Sequence, residues 1–158
     1  MPGTPSALLA QRLALGIPAL LLAGAYFGEY ALGLYPCEMC WWQRYAHFAA
    51  LALALLSTVA RPRRLWVALA GIALLVAGGL GAFHAGVEYG WWEGLTACSV
   101  VSAGGGDPLE AIMNAPLVRC DEVQWSLWGV SLAGWNFLVS TAAGIAILTL
   151  LARGKAAA

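Results

Sequence analysis

The chain has 158 residues, of which 61% are hydrophobic and only 10% charged, and its mean hydropathy of +0.77 lies far outside the soluble globular range. Eight Lys and Arg balance eight Asp and Glu, which removes the basic footprint of a nucleic-acid binder, and the apolar content excludes a disordered or collagen-like chain. Four cysteines are too few for a disulfide-stapled miniature fold, so their meaning lies in their placement.

A helix crossing a bilayer needs roughly 20 apolar residues, because nothing in the hydrocarbon satisfies an unpaired backbone group. Segments of that kind run over about 13–34, 41–60, 65–87 and 131–152. They predict an all-α membrane protein, a single domain over 1–158 built as a four-transmembrane-helix bundle. Arg12 precedes the first span, Arg61, Arg63 and Arg64 fill the link between the second and third, and Arg153 and Lys155 follow the fourth. Such basic residues stay on the cytoplasmic side, so both termini are expected inside. The first span exceeds the roughly 7–15-residue apolar core of a cleaved signal, so it is expected to be retained, although Ala31-Leu32-Gly33 has the small residues a signal peptidase accepts.

Two outward loops remain, over about 35–40 and 88–130, and they hold all four cysteines: Cys37 and Cys40 in the first, Cys98 and Cys120 in the second. That compartment permits disulfides, in a bacterium or an equivalent oxidising lumen, whereas cytoplasmic thiols would be kept reduced. In the long loop, Asp107-Pro108-Leu109-Glu110 combines an N-cap acid, a proline at the first helical position and a glutamate at the third. A short interfacial helix should follow. Its Leu109, Ile112, Met113 and Leu117 recur at helical spacing, which suits either the membrane surface or the top of the bundle. Gly104-Gly105-Gly106 ahead of it reads as a hinge. Trp41, Trp42, Trp91, Trp92, Trp125, Trp128 and Trp135 fall near the outer boundary, where an aromatic belt accounts for them.

The chemistry centres on the cysteines. Cys37-Glu38-Met39-Cys40 has the spacing of dithiol oxidoreductases, whose small ring opens and re-forms readily. It opens the second helix, so the N-terminal dipole favours a thiolate, and Arg44 shares a face with Cys40 four residues on. Zinc is disfavoured because Cys98 and Cys120 are not a second Cys-x-x-Cys and no histidine stands at ligand spacing; c-type haem fails because Trp41 follows the second cysteine. No metal is expected. A Cys98–Cys120 disulfide would be accessible to a partner thiolate or would serve as a structural staple. Two disulfides on one membrane face suggest a relay from a soluble dithiol to a lipid-soluble quinone. His84 and Glu88 share a face at the outer end of the third helix, as a relay or ligand pair or as an ordinary interfacial contact, and His47 is a weaker candidate.

These residues resemble the bacterial inner-membrane disulfide bond formation protein B (DsbB) family. Pro36-Cys37-Glu38-Met39-Cys40 with Arg44 is similar to that family's first outer loop and quinone-site arginine. The run from Ala82 through His84 and Glu88 to Gly90 resembles its third-helix exit. Cys120 to Gly129, followed by Ser131, Gly134, Trp135 and Asn136, resembles its entry into the fourth helix. The resemblance implies a thiol:quinone oxidoreductase that reoxidises a periplasmic thioredoxin-fold (DsbA-type) protein, with ubiquinone or menaquinone as acceptor. It implies catalytic roles for Cys98, attacked by the soluble dithiol, for Cys120, which exchanges with Cys37, and for Cys40, whose thiolate faces the quinone. Arg44, Cys40, His84 and Glu88 would form the quinone site, and the resting pairs would be Cys37–Cys40 and Cys98–Cys120. Two other readings stay open: a four-helix protein whose disulfides are braces, and a vitamin K epoxide reductase-like enzyme, in which the Cys-x-x-Cys comes late in the bundle.

Overall fold

The structure, a computed structural model, describes residues 4–95, 99–100 and 117–156. The first helix, α1 (Pro5–Leu32), starts well ahead of its apolar stretch because Thr4 Oγ1 accepts the Ala7 N–H at 3.3 Å and Pro5 follows the cap. It stops at Gly33, where a left-handed φ of 70° lets the Leu34 N–H close on the Gly28 carbonyl. The second helix, α2 (Glu38–Val59), is capped by a cysteine: Cys37 Sγ accepts the Cys40 N–H at 3.3 Å. Two further helices follow, α3 (Arg63–Glu88) and α4 (Leu132–Ala156).

The helices close into a ring in which α2 packs on α1 and α3, and α4 on α3 and α1. Short links make α1, α2 and α3 antiparallel in turn, and Tyr89 bonded to the Ser131 N–H sets the head of α4 beside the end of α3, so Cys37, Glu88 and Leu132 share one end. The other end gathers Thr4 and the arginines, and there Arg64 donates to the Leu151 carbonyl. The core at that end is made largely of alanine: Ala10, Ala14, Ala50, Ala54 and Ala70 pack with Val67, Leu74 and Ile147. Small side chains let the backbones come close, which is how helices associate where lipid removes the hydrophobic drive. α3 and α4 approach closely at Gly78, against Thr141, and at Gly81, where an added Cβ would stand 2.9 Å from both the Ala133 carbonyl and the Asn136 amide.

Helices α1, α3 and α4 (over Leu132–Gly154) are long and apolar enough to cross a membrane. The polar residues Gln43, Arg44, His47 and Ser57 of α2 are buried and so face into the bundle. Outside the helices, β1 (Ser99–Val100) pairs antiparallel with β2 (Leu117–Val118), and β3 (Ser126–Leu127) pairs with β4 (Val130–Ser131) around Trp128 and Gly129, both at positive φ. Tyr89 fastens this hairpin to α3, donating its hydroxyl to the Gly129 carbonyl and accepting the Ser131 N–H. Gln124 donates to the Tyr35 carbonyl and ties the second loop to the first. The hinge at Gly104 and the helix expected from Asp107 lie outside the described residues, as does Cys98. Leu117, counted with that helix's apolar face, belongs to β2, where its backbone pairs across to Val100.

Candidate active site

The site is built outward from the α2 N-terminus. Cys37 and Cys40 face each other with their sulfurs 3.0 Å apart, Cys37 Sγ donating. That hydrogen bond, followed by burial, pushes the Cys37 thiol up to about 12. The proton of the pair therefore stays on Cys37, and Cys40, in the first helical turn, is the sulfur placed to carry charge.

Cys37 is sealed from solvent at 1% exposure, and the long loop does the sealing. Val118 and Cys120 pack with Cys37, Met39 and Val87 in one buried cluster. The ligand atoms of Cys37, His84 and Cys120 all lie within 4.8 Å of one another. His84 Nε2 is 3.5 Å from Cys37 Sγ and 3.8 Å from Glu88 Oε1. Sequence spacing offered the cysteines no histidine; the fold supplies one, because the end of α3 meets the start of α2. These donors suit a soft cation as well as thiol exchange.

Behind His84 a buried chain of polar groups crosses the bundle. His84 Nδ1 is 2.9 Å from Gln43 Nε2, and Gln43 Oε1 accepts from Asn136 Nδ2 at 2.6 Å. Asn136 Oδ1 then faces His47 Nε2 at 2.8 Å and accepts the Ser140 hydroxyl at 2.7 Å. His47 Nδ1 is buried without a hydrogen-bond partner among the described residues.

Beside this chain lies a cavity of about 430 Å³. Cys40, Gln43, Arg44 and His47 line it from α2 at helical spacing, facing apolar residues of α1 such as Leu20, Leu21 and Phe27. Arg44 is held at its rim: Nη1 donates to Glu29 Oε2 at 2.5 Å and Nη2 to the Ala25 carbonyl at 3.2 Å. Its guanidinium carbon also sits 4.6 Å from the Tyr26 ring centroid and 5.0 Å from that of Trp41.

Of the residues picked out in the sequence, the fold brings Cys37, Cys40, Cys120, His84, Glu88 and Arg44 to one end of the bundle. Arg44 points at Glu29, with Cys40 lining the same cavity. Glu29, Gln43 and Asn136 were missed as site residues. Glu29 is the only acid inside the first apolar span, a signal that marks a functional position in a membrane helix. Gln43 stands three residues after Cys40, on its face. Asn136 carries no comparable signal.

The sequence model of the family described as Disulfide bond formation protein DsbB matches residues 8–150. The chain belongs to the DsbB family. The "Disulfide bond formation protein B" of Verminephrobacter eiseniae is 36% identical, the match covering 96% of this chain and 88% of the relative. That of Polaromonas naphthalenivorans is 34% identical over 94% and 92%, and that of Marinobacter nauticus 32% identical over 73% and 74%. No solved structure matches the chain significantly. Membership of the family makes the chain a multi-pass membrane protein of disulfide formation.

Proposed function

We propose that this protein is a thiol:quinone oxidoreductase that reoxidises a DsbA-type thioredoxin-fold protein and passes the electrons through two cysteine pairs to a membrane quinone. The observation that carries this reading is the run of sulfurs from Cys120 to Cys37 to Cys40, which begins under the outer loop and ends on the cavity. The cysteine end then faces the periplasm, the arginine end and both termini face the cytoplasm, and α2 is the fourth span of a bundle that closes only with it.

Exchange proceeds by thiolate attack on a disulfide sulfur, so each step needs an attacker, a leaving group and contact. The soluble dithiol attacks Cys98 of a Cys98–Cys120 disulfide, and the released Cys120 thiolate attacks Cys37 of a Cys37–Cys40 disulfide. The Cys37–Cys120 bond forms, and the electron pair of the broken bond leaves on Cys40, which the helix N-terminus accommodates. Cys37 and Cys120 thus act as exchange partners, with the His84 ring beside them, rather than as ligands, since Cys37 already belongs to the Cys-x-x-Cys ring.

A quinone supplies an acceptor for two electrons and two protons. The residues fit one: the α1 wall of the cavity is apolar, Cys40 and Arg44 stand at the α2 wall, and the orphaned His47 Nδ1 is a polar atom in search of a partner. Arg44, fixed by Glu29, would hold a quinone oxygen, and the apolar wall would exclude water. The direct test is quinol formation by the detergent-solubilised protein given a reduced thioredoxin-fold dithiol. The reading requires turnover in the wild type, its loss in Cys40→Ser and its weakening in Arg44→Ala. Disulfides that resist the dithiol, with no quinol formed from ubiquinone or menaquinone analogues, would leave the structural-brace reading.

A further inference from the structure

The two amides between His84 and His47 have one orientation that satisfies their backbone partners. The amide nitrogen of Asn136 lies 3.1 Å from the Ala77 carbonyl, and that of Gln43 lies 3.1 Å from the Met39 carbonyl. A backbone carbonyl only accepts, so an NH₂ faces it in each case. The second Asn136 N–H goes to Gln43 Oε1, which agrees with the Gln43 orientation set by Met39. The second Gln43 N–H is left facing His84 Nδ1 at 2.9 Å, and that nitrogen has to accept it. A neutral imidazole that accepts on Nδ1 carries its proton on Nε2.

The geometry points to Gln43 as a positioning residue that, braced by Asn136, locks His84 in the tautomer presenting Nε2–H to Cys37 Sγ. This rests on the thiol-exchange reading above and gives His84 a role different from the quinone contact that the family resemblance implies. An N–H donor 3.5 Å from a sulfur stabilises a thiolate there, whereas a bare nitrogen would repel it. The benefit falls on the step in which the Cys37–Cys120 bond is opened by a second thiolate, from Cys98, attacking Cys120. A Cys98–Cys120 bond forms, the Cys37–Cys120 bond breaks, and its electron pair leaves on Cys37, where Nε2–H receives it. No net oxidation occurs in that exchange. The charged or ionisable groups around this N–H are Glu88 on α3, Cys40 on α2 and Cys120 on the loop. Replacing Gln43 by a carboxylate removes the donor and puts an acceptor against Nδ1, which draws a proton onto that nitrogen.

The test is nitrogen NMR of the full chain in detergent micelles, labelled with ¹⁵N at the histidine rings and assigned with His47→Gln. In the wild type, His84 is expected to show a proton on Nε2 and none on Nδ1, and in Gln43→Glu a proton on Nδ1. Gln43→Leu is expected to release Cys37 from a trapped Cys37–Cys120 disulfide about tenfold more slowly, the scale of one hydrogen bond. A protonated Nδ1 in the wild type overturns the proposal without recourse to any variant, and so does a Gln43→Leu protein that releases Cys37 at the wild-type rate. Absence of quinone turnover in the wild type, with the tautomer as expected, would instead strike the function proposed above and leave the tautomer lock standing.

Discussion

The two ends of this bundle are packed on opposite principles. At the arginine end, alanines of α1, α2 and α3 at zero exposure pack with Ile147 of α4 with little polar chemistry between the helices, so that end contributes rigidity. At the cysteine end, the same helices leave a cavity of about 430 Å³ and bury an arginine, two histidines and a glutamine, with a half-buried asparagine among them. Burying polar groups costs free energy unless each is paired, and here they pair across helices: Arg44 with Glu29, Gln43 with His84, Asn136 with His47. The lesson of the difference is a division of labour, with a tight apolar half holding in register a polar half whose geometry is chemical.

Substitutions that touch one half and spare the other sharpen that contrast. The largest effect is expected from Cys40→Ser, which ends dithiol-dependent quinol formation while the thermal transition stays near that of the wild type; a large fall in Tm would make Cys40 part of the scaffold. Arg44→Ala leaves the half-buried Glu29 carboxylate unpaired, and is expected to lower quinone turnover about 10–100-fold and to destabilise the fold as well. Adding Glu29→Gln should restore most of the stability and little of the turnover, which melting curves and steady-state rates of both proteins would show. Ala14→Leu overpacks the arginine end and is expected to cost about 1–3 kcal/mol in denaturant unfolding, with no change in the KM for quinone. Gly81→Ala lies at the border between the halves and should do both, because its Cβ presses on Asn136.

The smallest effect is a matter of order. A thiol raised to about 12 stays protonated at neutral pH, and only thiolates alkylate, so in the fully reduced protein iodoacetamide should modify Cys40 before Cys37. Cys37 should catch up as the pH climbs toward its pKa. In Cys40→Ala the leading cause of that upward push is gone, so Cys37 should react at lower pH than in the wild type. Peptide mapping after timed quenching measures both.

Much of this was legible in the sequence. The apolar runs announced helices, and Cys37, Cys40 and Arg44 announced the end at which the candidate site gathers, because helical spacing from a Cys-x-x-Cys is local information. The helix ends were less legible: α1 reaches back to Pro5 because a threonine cap and a proline, which carry no hydropathy, extend it. The contacts of His84 with Cys37 and Cys120 depend on how α3 and the long loop meet, which spacing along one helix does not encode. The same holds for Asn136, whose role exists only because Gly78 and Gly81 let α4 approach α3 closely enough for its amide to reach the Ala77 carbonyl.

The most direct test of the relay is to add one equivalent of reduced thioredoxin-fold dithiol to the quinone-free oxidised protein, quench with acid and map the disulfides by mass spectrometry. The account predicts peptides joined through Cys37 and Cys120, with Cys40 as the newly freed thiol. A soluble partner that becomes oxidised while the Cys37–Cys40 bond stays closed and no Cys37–Cys120 peptide forms would contradict it.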